Sequence, residues 1–359
     1  MVFAVAVALA LADAVSSVAA LDARWKLPLE TPPSASAGFD ETTAYVPVRG
    51  GQLIAVDLDR GTVRWQIALV TALTPATGDG LVFAASADEV AAYDARTGAT
   101  RWQSALPGGV AAPLYWDTGW LMASTSAGDL IAYRAADGVV VWRQALGAPV
   151  AVAPVPALDQ LFVALTDGHV LSLALASGEP VWSRSIAGQV KGLLALDDQL
   201  VFGTTENDVQ SVTIKNGHER WRWKVGGDVV GPPFADARHI YFSARDNVLR
   251  AVDRKSGNLR WTAALPSRPG GGPFIAAGAV MVPFVSSEIV GFDPVTGKRA
   301  LTVKAAGEIG AQPFLRLSAR ATAARLIIVS REGELQGFGL RFEPPPLKLA
   351  TLPGAKALP

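Results

Sequence analysis

The chain has no cysteine among its 359 residues. That excludes disulfides, thiolate metal sites, cysteine nucleophiles and any lipid or haem attached through sulfur. Neither sign of charge is in excess, with 32 basic side chains against 32 acidic ones, so a protein held to phosphate backbones is not expected and no nucleic-acid partner is assigned. The histidines are few, and His169, His218 and His239 show no metal-ligand spacing. There is no Gly-x-Ser-x-Gly elbow, P-loop or dinucleotide fingerprint. A long apolar run is missing too: the uncharged stretch at residues 1–12 is shorter than the roughly 20 residues of a spanning helix.

What is present is apolar bulk and punctuation. Half the chain is hydrophobic, and it carries 35 Gly, 24 Pro and ten Trp. So much apolar surface collapses into a core rather than staying disordered. The two ends read as separate from that core. Residues 1–20 have an apolar stretch followed by small residues such as Val18-Ala19-Ala20, the pattern of a signal peptide or apolar N-terminal segment, although no Lys or Arg precedes it. Residues 343–359 contain five Pro and read as a flexible tail, because Pro removes backbone donors.

Between the ends, residues 21–342 carry one repeat. Turns close at Gly61, Gly98, Gly138, Gly178, Gly217, Gly257 and Gly297, at intervals of 37, 40, 40, 39, 40 and 40 residues. Four residues after six of them stand Trp65, Trp102, Trp142, Trp182, Trp221 and Trp261, with Leu301 at the seventh; counting back 40 from Trp65 reaches Trp25. A fixed period of this size must be settled before any other reading. Each unit reads as four short strands of branched and aromatic residues between Gly/Asp turns; in the third these are 112–116, 120–124, 130–134 and 139–144. Asp57, Asp94, Asp253 and Asp293 lie four residues ahead of their turn Gly, where a carboxylate can bond the turn's own backbone. Pro75, Pro113, Pro154, Pro233, Pro273 and Pro313 mark where one unit passes to the next.

These units predict an all-β, eight-bladed β-propeller of four-stranded antiparallel blades. Seven blades are complete. The eighth has strands at 311–317, 325–330 and 334–342, and its last strand comes from the N-terminal end, 22–29, around Trp25. Such a closure pairs the edges that would otherwise stay open. Regular placement assigns Trp25, Trp65, Trp102, Trp142, Trp182, Trp221 and Trp261 to inter-blade packing over a turn Gly rather than to ligand stacking, because repeats need identical contacts. Trp116, Trp120 and Trp223 fall outside the pattern and read as core filling.

The stretch Ala92-Tyr93-Asp94-Ala95-Arg96-Thr97-Gly98, followed by Trp102, resembles the pyrroloquinoline-quinone (PQQ)-like propeller repeat, and the resemblance runs from Trp25 to Phe342. Two branches share that repeat: the quinone-dependent dehydrogenases, and BamB, the non-enzymatic propeller of the outer-membrane β-barrel assembly machinery. The first implies PQQ and a calcium held by converging oxygens. The nearest acidic motifs, Asp197-Asp198 and Glu206-Asn207-Asp208, fall at expected turns and read as solvated. Pro269-Gly270-Gly271-Gly272-Pro273 reads as an inter-blade loop, since no helix follows it. The second branch fits better, with a PQQ-binding redox protein or sensor, or a generic propeller binding another exported protein, as the alternatives. It implies an exported, periplasmic or envelope protein with no cofactor, monomeric, at most peripheral to the membrane, and bound to a protein partner such as the barrel-forming subunit. Without cysteine it is not a lipoprotein. The reading places Arg49, Asp88, Asp167, Glu206, Arg245, Asp246, Arg331 and Glu332 in turns between second and third strands. With Lys191 and Arg268 in inter-blade loops, these form a candidate partner face.

Overall fold

The structure is a computed structural model that describes residues 19–316 and 323–341. The signal-like segment up to residue 18 and the Pro-rich tail lie outside the described residues. Among those described there is no helix; there are eight four-stranded antiparallel sheets. In chain order, blade 1 spans 38–68, blade 2 spans 76–105, blade 3 spans 115–145 and blade 4 spans 155–185. Blade 5 spans 190–224, blade 6 spans 234–264, blade 7 spans 274–304, and blade 8 combines 314–340 with Leu21–Pro28. First strands of neighbouring blades touch in blades 1 and 2, 2 and 3, and 4 and 5, which places them innermost. Fourth strands form the rim, and Thr62–Ala68 and Thr100–Ala105 alternate between exposed and half-buried side chains.

The N-terminal strand closes the ring as the reading of the repeat requires. Leu21–Pro28 pairs antiparallel with Glu334–Leu340, followed inward by Leu326–Val329 and Phe314–Leu315. Arg316 is buried at 4% exposure and joins the two ends of the propeller. Its Nε donates to the Glu41 carbonyl at 2.8 Å, and its Nη1 donates to the Ala324 carbonyl at 2.9 Å and to Asp59 at 2.8 Å.

Innermost strands are mostly shorter than the pattern suggests. In blade 3 the first strand is Tyr115–Asp117, three residues. Crowding toward the axis explains this: the loops entering the first strands of blades 6 and 7 approach so closely that a Cβ on Gly231 would lie 2.3 Å from the Gly272 nitrogen. Blade 5 differs, with a six-residue first strand, Val190–Ala195, bulged beside Lys191. Lys191 is therefore in a strand and not in an inter-blade loop, although its side chain is exposed.

Candidate functional site

The rim turns show what the marker residues do. Each turn Gly has positive φ, from 66° at Gly61 to 74° at Gly98, a conformation open to Gly without steric cost. The preceding Asp organises the turn: Asp94 Oδ1 accepts from the backbone N–H of Arg96 and Thr97, and Asp253 from Lys255 and Ser256. A rim arginine completes it, Arg101 reaching Asp94 at 2.5 Å and Arg260 reaching Asp253 at 2.6 Å. Arg101 first, then Thr97, holds the Asp94 carboxyl down at about 2.

Over each of these glycines lies the indole of the preceding blade. A Cβ on Gly61 would sit 2.5 Å from Trp25, on Gly98 2.9 Å from Trp65, and on Gly178 2.6 Å from Trp142. Trp102 covers Gly138, Trp182 covers Gly217, Trp221 covers Gly257 and Trp261 covers Gly297. Six indoles also donate Nε1–H to the carbonyl three residues before that Gly: Trp25 to Leu58, Trp65 to Ala95, Trp102 to Ala135, Trp142 to Leu175, Trp182 to Ile214 and Trp261 to Pro294. Trp221 is the exception, its N–H buried without an acceptor. Gln199 occupies the Arg254 carbonyl it would use, at 2.8 Å. Trp116 packs against Gly78 of blade 2, Trp120 joins the core between blades 3 and 4, and Trp223 donates to the Gly257 carbonyl at 2.7 Å.

Turns between second and third strands lie on one face of the disc, because backbone hydrogen bonds tie them together at every junction but the one entering blade 2. The residue leaving each fourth strand donates to the turn of its own blade. Examples are Leu69 to Gly51, Leu106 to Asp88, Leu265 to Asn247 and Leu29 to Gly333. The inter-blade segment then accepts from the same turn of the next blade, as Pro32 does from Arg49, Gly109 from Ser126 and Glu308 from Arg331. Arg49, Asp88, Asp167, Glu206, Arg245, Asp246, Arg331 and Glu332 occupy these turns, and Arg268 lies in the loop before blade 7. They are spread round the ring rather than gathered. Arg245 pairs with Asp228 at 3.6 Å and Arg331 with Glu308 at 3.0 Å. Asp246 is only half-buried but fully engaged, accepting from Arg250 at 2.5 Å and from the Gly226 N–H at 2.9 Å. Burial raises its carboxyl, and the Arg250 hydrogen bonds outweigh that and hold it low.

Arg49 lines a cleft. The cleft measures 660 Å³ between blades 1, 2 and 3 and is walled by Val48, Val70, Leu73, Ala85, Ala87 and Val110. A second cleft, of 940 Å³, opens on the opposite face between blades 5 and 7, among Asp197, Asp198, Arg238, His239, Asp253, Arg254 and Lys255. Beside the His239 ring of that cleft, the buried Tyr241 donates its hydroxyl to Asp236 at 2.6 Å. Burial first and then Asp236 push that phenol far above its usual range.

The acidic motifs do not converge. Asp197-Asp198 is at one end of blade 5, where Asp198 pairs with Arg220, and Glu206 is at the other. Asp208 is not a solvated turn residue: it starts the third strand, fully buried, paired with Arg222 and with Lys224 at 3.1 Å. Its burial was invisible because a turn motif does not show which way the next side chain faces. Burial raises its carboxyl, but Arg222 and Lys224 hold it below the usual range. Among the described residues no three His, Asp or Glu side chains form a group suited to a metal ion, and no helix is long and apolar enough to cross a membrane.

The comparisons agree with this architecture. The family described as "Outer membrane protein assembly factor BamB" matches residues 14–90, 86–191 and 166–335. No curated protein matches significantly. Among solved structures, BamB from Moraxella catarrhalis is 17% identical, covers 90% of this chain and 99% of its own, and superposes with a TM-score of 0.71. The quinohemoprotein alcohol dehydrogenase of Comamonas testosteroni is 12% identical, with 90% of this chain and 77% of that one covered and a TM-score of 0.70. The designed protein Ika8 is 13% identical over 88% of this chain and 98% of its own, with a TM-score of 0.73. At such identities the structures share the fold alone. The family match extends over most of the repeat, and the chain belongs to the BamB family of PQQ-like propellers.

Proposed function

We propose that this protein is a non-enzymatic, exported scaffold that assists outer-membrane β-barrel assembly by binding protein partners through the face carrying the turns between second and third strands. The family match carries the reading. Geometry adds to it: the acidic side chains nearest to a calcium set stand at opposite ends of blade 5, whereas a hard cation needs oxygens converging on one point. The partner face is polar, mixed in charge and built from turns on rigid sheets, an arrangement suited to orienting a protein partner.

The test is retention of the purified barrel-forming assembly subunit by immobilised protein. Binding is expected, and charge reversal at both Arg245 and Arg331 is expected to weaken it. Failure of the wild type to retain that subunit, together with dye reduction once PQQ and calcium are supplied, would move the protein to the quinoprotein branch.

A further inference from the structure

One place on the partner face breaks the backbone pattern. In seven blades the inter-blade segment extends the first strand and pairs with the end of the second, through Pro33 and Val48, Val110 and Thr125, Val150 and Leu165, Val190 and Thr204, Val229 and Ala244, Pro269 and Phe284, and Ile309 and Ser330. The same seven segments accept a hydrogen bond from the following turn, the donors being Arg49, Ser126, Thr166, Thr205, Arg245, Val285 and Arg331. Blade 2 makes neither contact. Its equivalent position is Thr71, polar where the other seven are apolar, and the segment folds on itself: Leu73 N–H donates to Thr71 Oγ1 at 3.2 Å. Ser34 Oγ holds the Thr71 carbonyl from the other side at 3.0 Å.

The second strand of blade 2 is therefore left with an open edge at Ala85–Ala87, and this edge forms one wall of the 660 Å³ cleft. The other walls are mainly apolar, with Ser34, Thr71 and Ser86 among them, and Val70 in the lining is 77% exposed. One charged residue lines the cleft, Arg49, whose side chain has no hydrogen bond or ion pair among the described residues. Together these are the parts of a site for an extended chain: backbone groups that pair with a strand, apolar walls for its side chains, and one free cation for one negative charge.

We propose that this cleft binds an extended apolar peptide at its C-terminus, the peptide backbone pairing with Ala85–Ala87 and its terminal carboxylate meeting Arg49. The inference rests on reading the protein as a protein-binding propeller, but not on which partner it serves. Purified components keep the two questions apart, since retention of the assembly subunit and binding of a peptide are read separately.

The experiment follows the fluorescence anisotropy of a labelled Val-Thr-Val-Leu-Phe peptide with a free carboxylate, added to the full chain. Saturable binding is expected. The C-terminally amidated twin, and the Arg49→Ala protein with the acid peptide, are each expected to bind about tenfold more weakly, the scale of one charge-assisted hydrogen bond. Ala87→Pro removes the edge N–H and is expected to abolish binding. Val70→Asp, on an exposed position, does the same by charge if the proline variant melts early. Absence of binding to the wild type overturns the proposal. So does equal binding of acid and amide peptides, or full binding by both Ala87→Pro and Val70→Asp.

Discussion

The junction from blade 5 to blade 6 and the junction from blade 4 to blade 5 use the same residues differently. At the latter, Trp182 covers Gly217 and its N–H reaches the Ile214 carbonyl at 2.7 Å. At the former, Trp221 covers Gly257, but Gln199 has taken the carbonyl and the indole N–H is buried unpaired. Blade 5 itself is the more polar: Gln199, Thr204, Asp208, Gln210 and Ser211 are five of the fifteen buried polar side chains described. A repeat thus keeps its shape when one bond in the set is exchanged, provided the acceptor it loses is satisfied by another donor.

Trp182→Ala breaks the regular junction outright and is expected to lower stability by about 3–5 kcal/mol in a denaturant titration, as loss of a large buried aromatic does. An unchanged midpoint would remove the indole from the packing account. Asp208→Asn should cost about 1–3 kcal/mol at pH 7, the range for a buried hydrogen-bonded group. Its carboxyl is held low in the fold, so its stabilisation is complete above its unfolded value of about 3.9 and is lost as pH falls through the folded value. Melts of wild type and variant should therefore converge in acid; a constant gap would contradict the ion pairs. Trp182→Phe should cost about 1 kcal/mol for its hydrogen bond, whereas Trp221→Phe, with no bond to lose, should stay within about 0.5 kcal/mol. Gln199→Leu sharpens this further. It frees the Arg254 carbonyl, so in that background Trp221→Phe should cost about 1 kcal/mol, and a double-mutant cycle reads the difference.

The ring, its blade number and its closure were legible because a repeat writes the same contact once per period, and a Trp at a fixed distance from a turn Gly survives weak similarity elsewhere. Side-chain direction was less legible. Asp208 follows a turn yet faces inward, and Lys191 sits on a strand lengthened only in blade 5. The cleft beside Arg49 did leave a mark, Thr71 among seven apolar residues at one position, but its meaning depends on a pairing that local pattern does not specify. The exchanged hydrogen bond at Trp221 left none, since Gln199 and Arg254 are 55 residues apart.

The two strands that complete blade 8 carry a consequence for how the molecule is made. Arg24 bonds the carbonyl of Leu340 across a separation of 316 residues, so the strand that appears first during synthesis finds its place only after the last blade exists. Pairings this distant form slowly, and chains waiting for them expose unpaired edges. Until then Gly61 lacks its Trp25 cover and Arg316 lacks its acceptors in blade 1. Ring closure is thus a late event: a chain interrupted before Glu334 holds Leu21–Pro28 without the strand it pairs with.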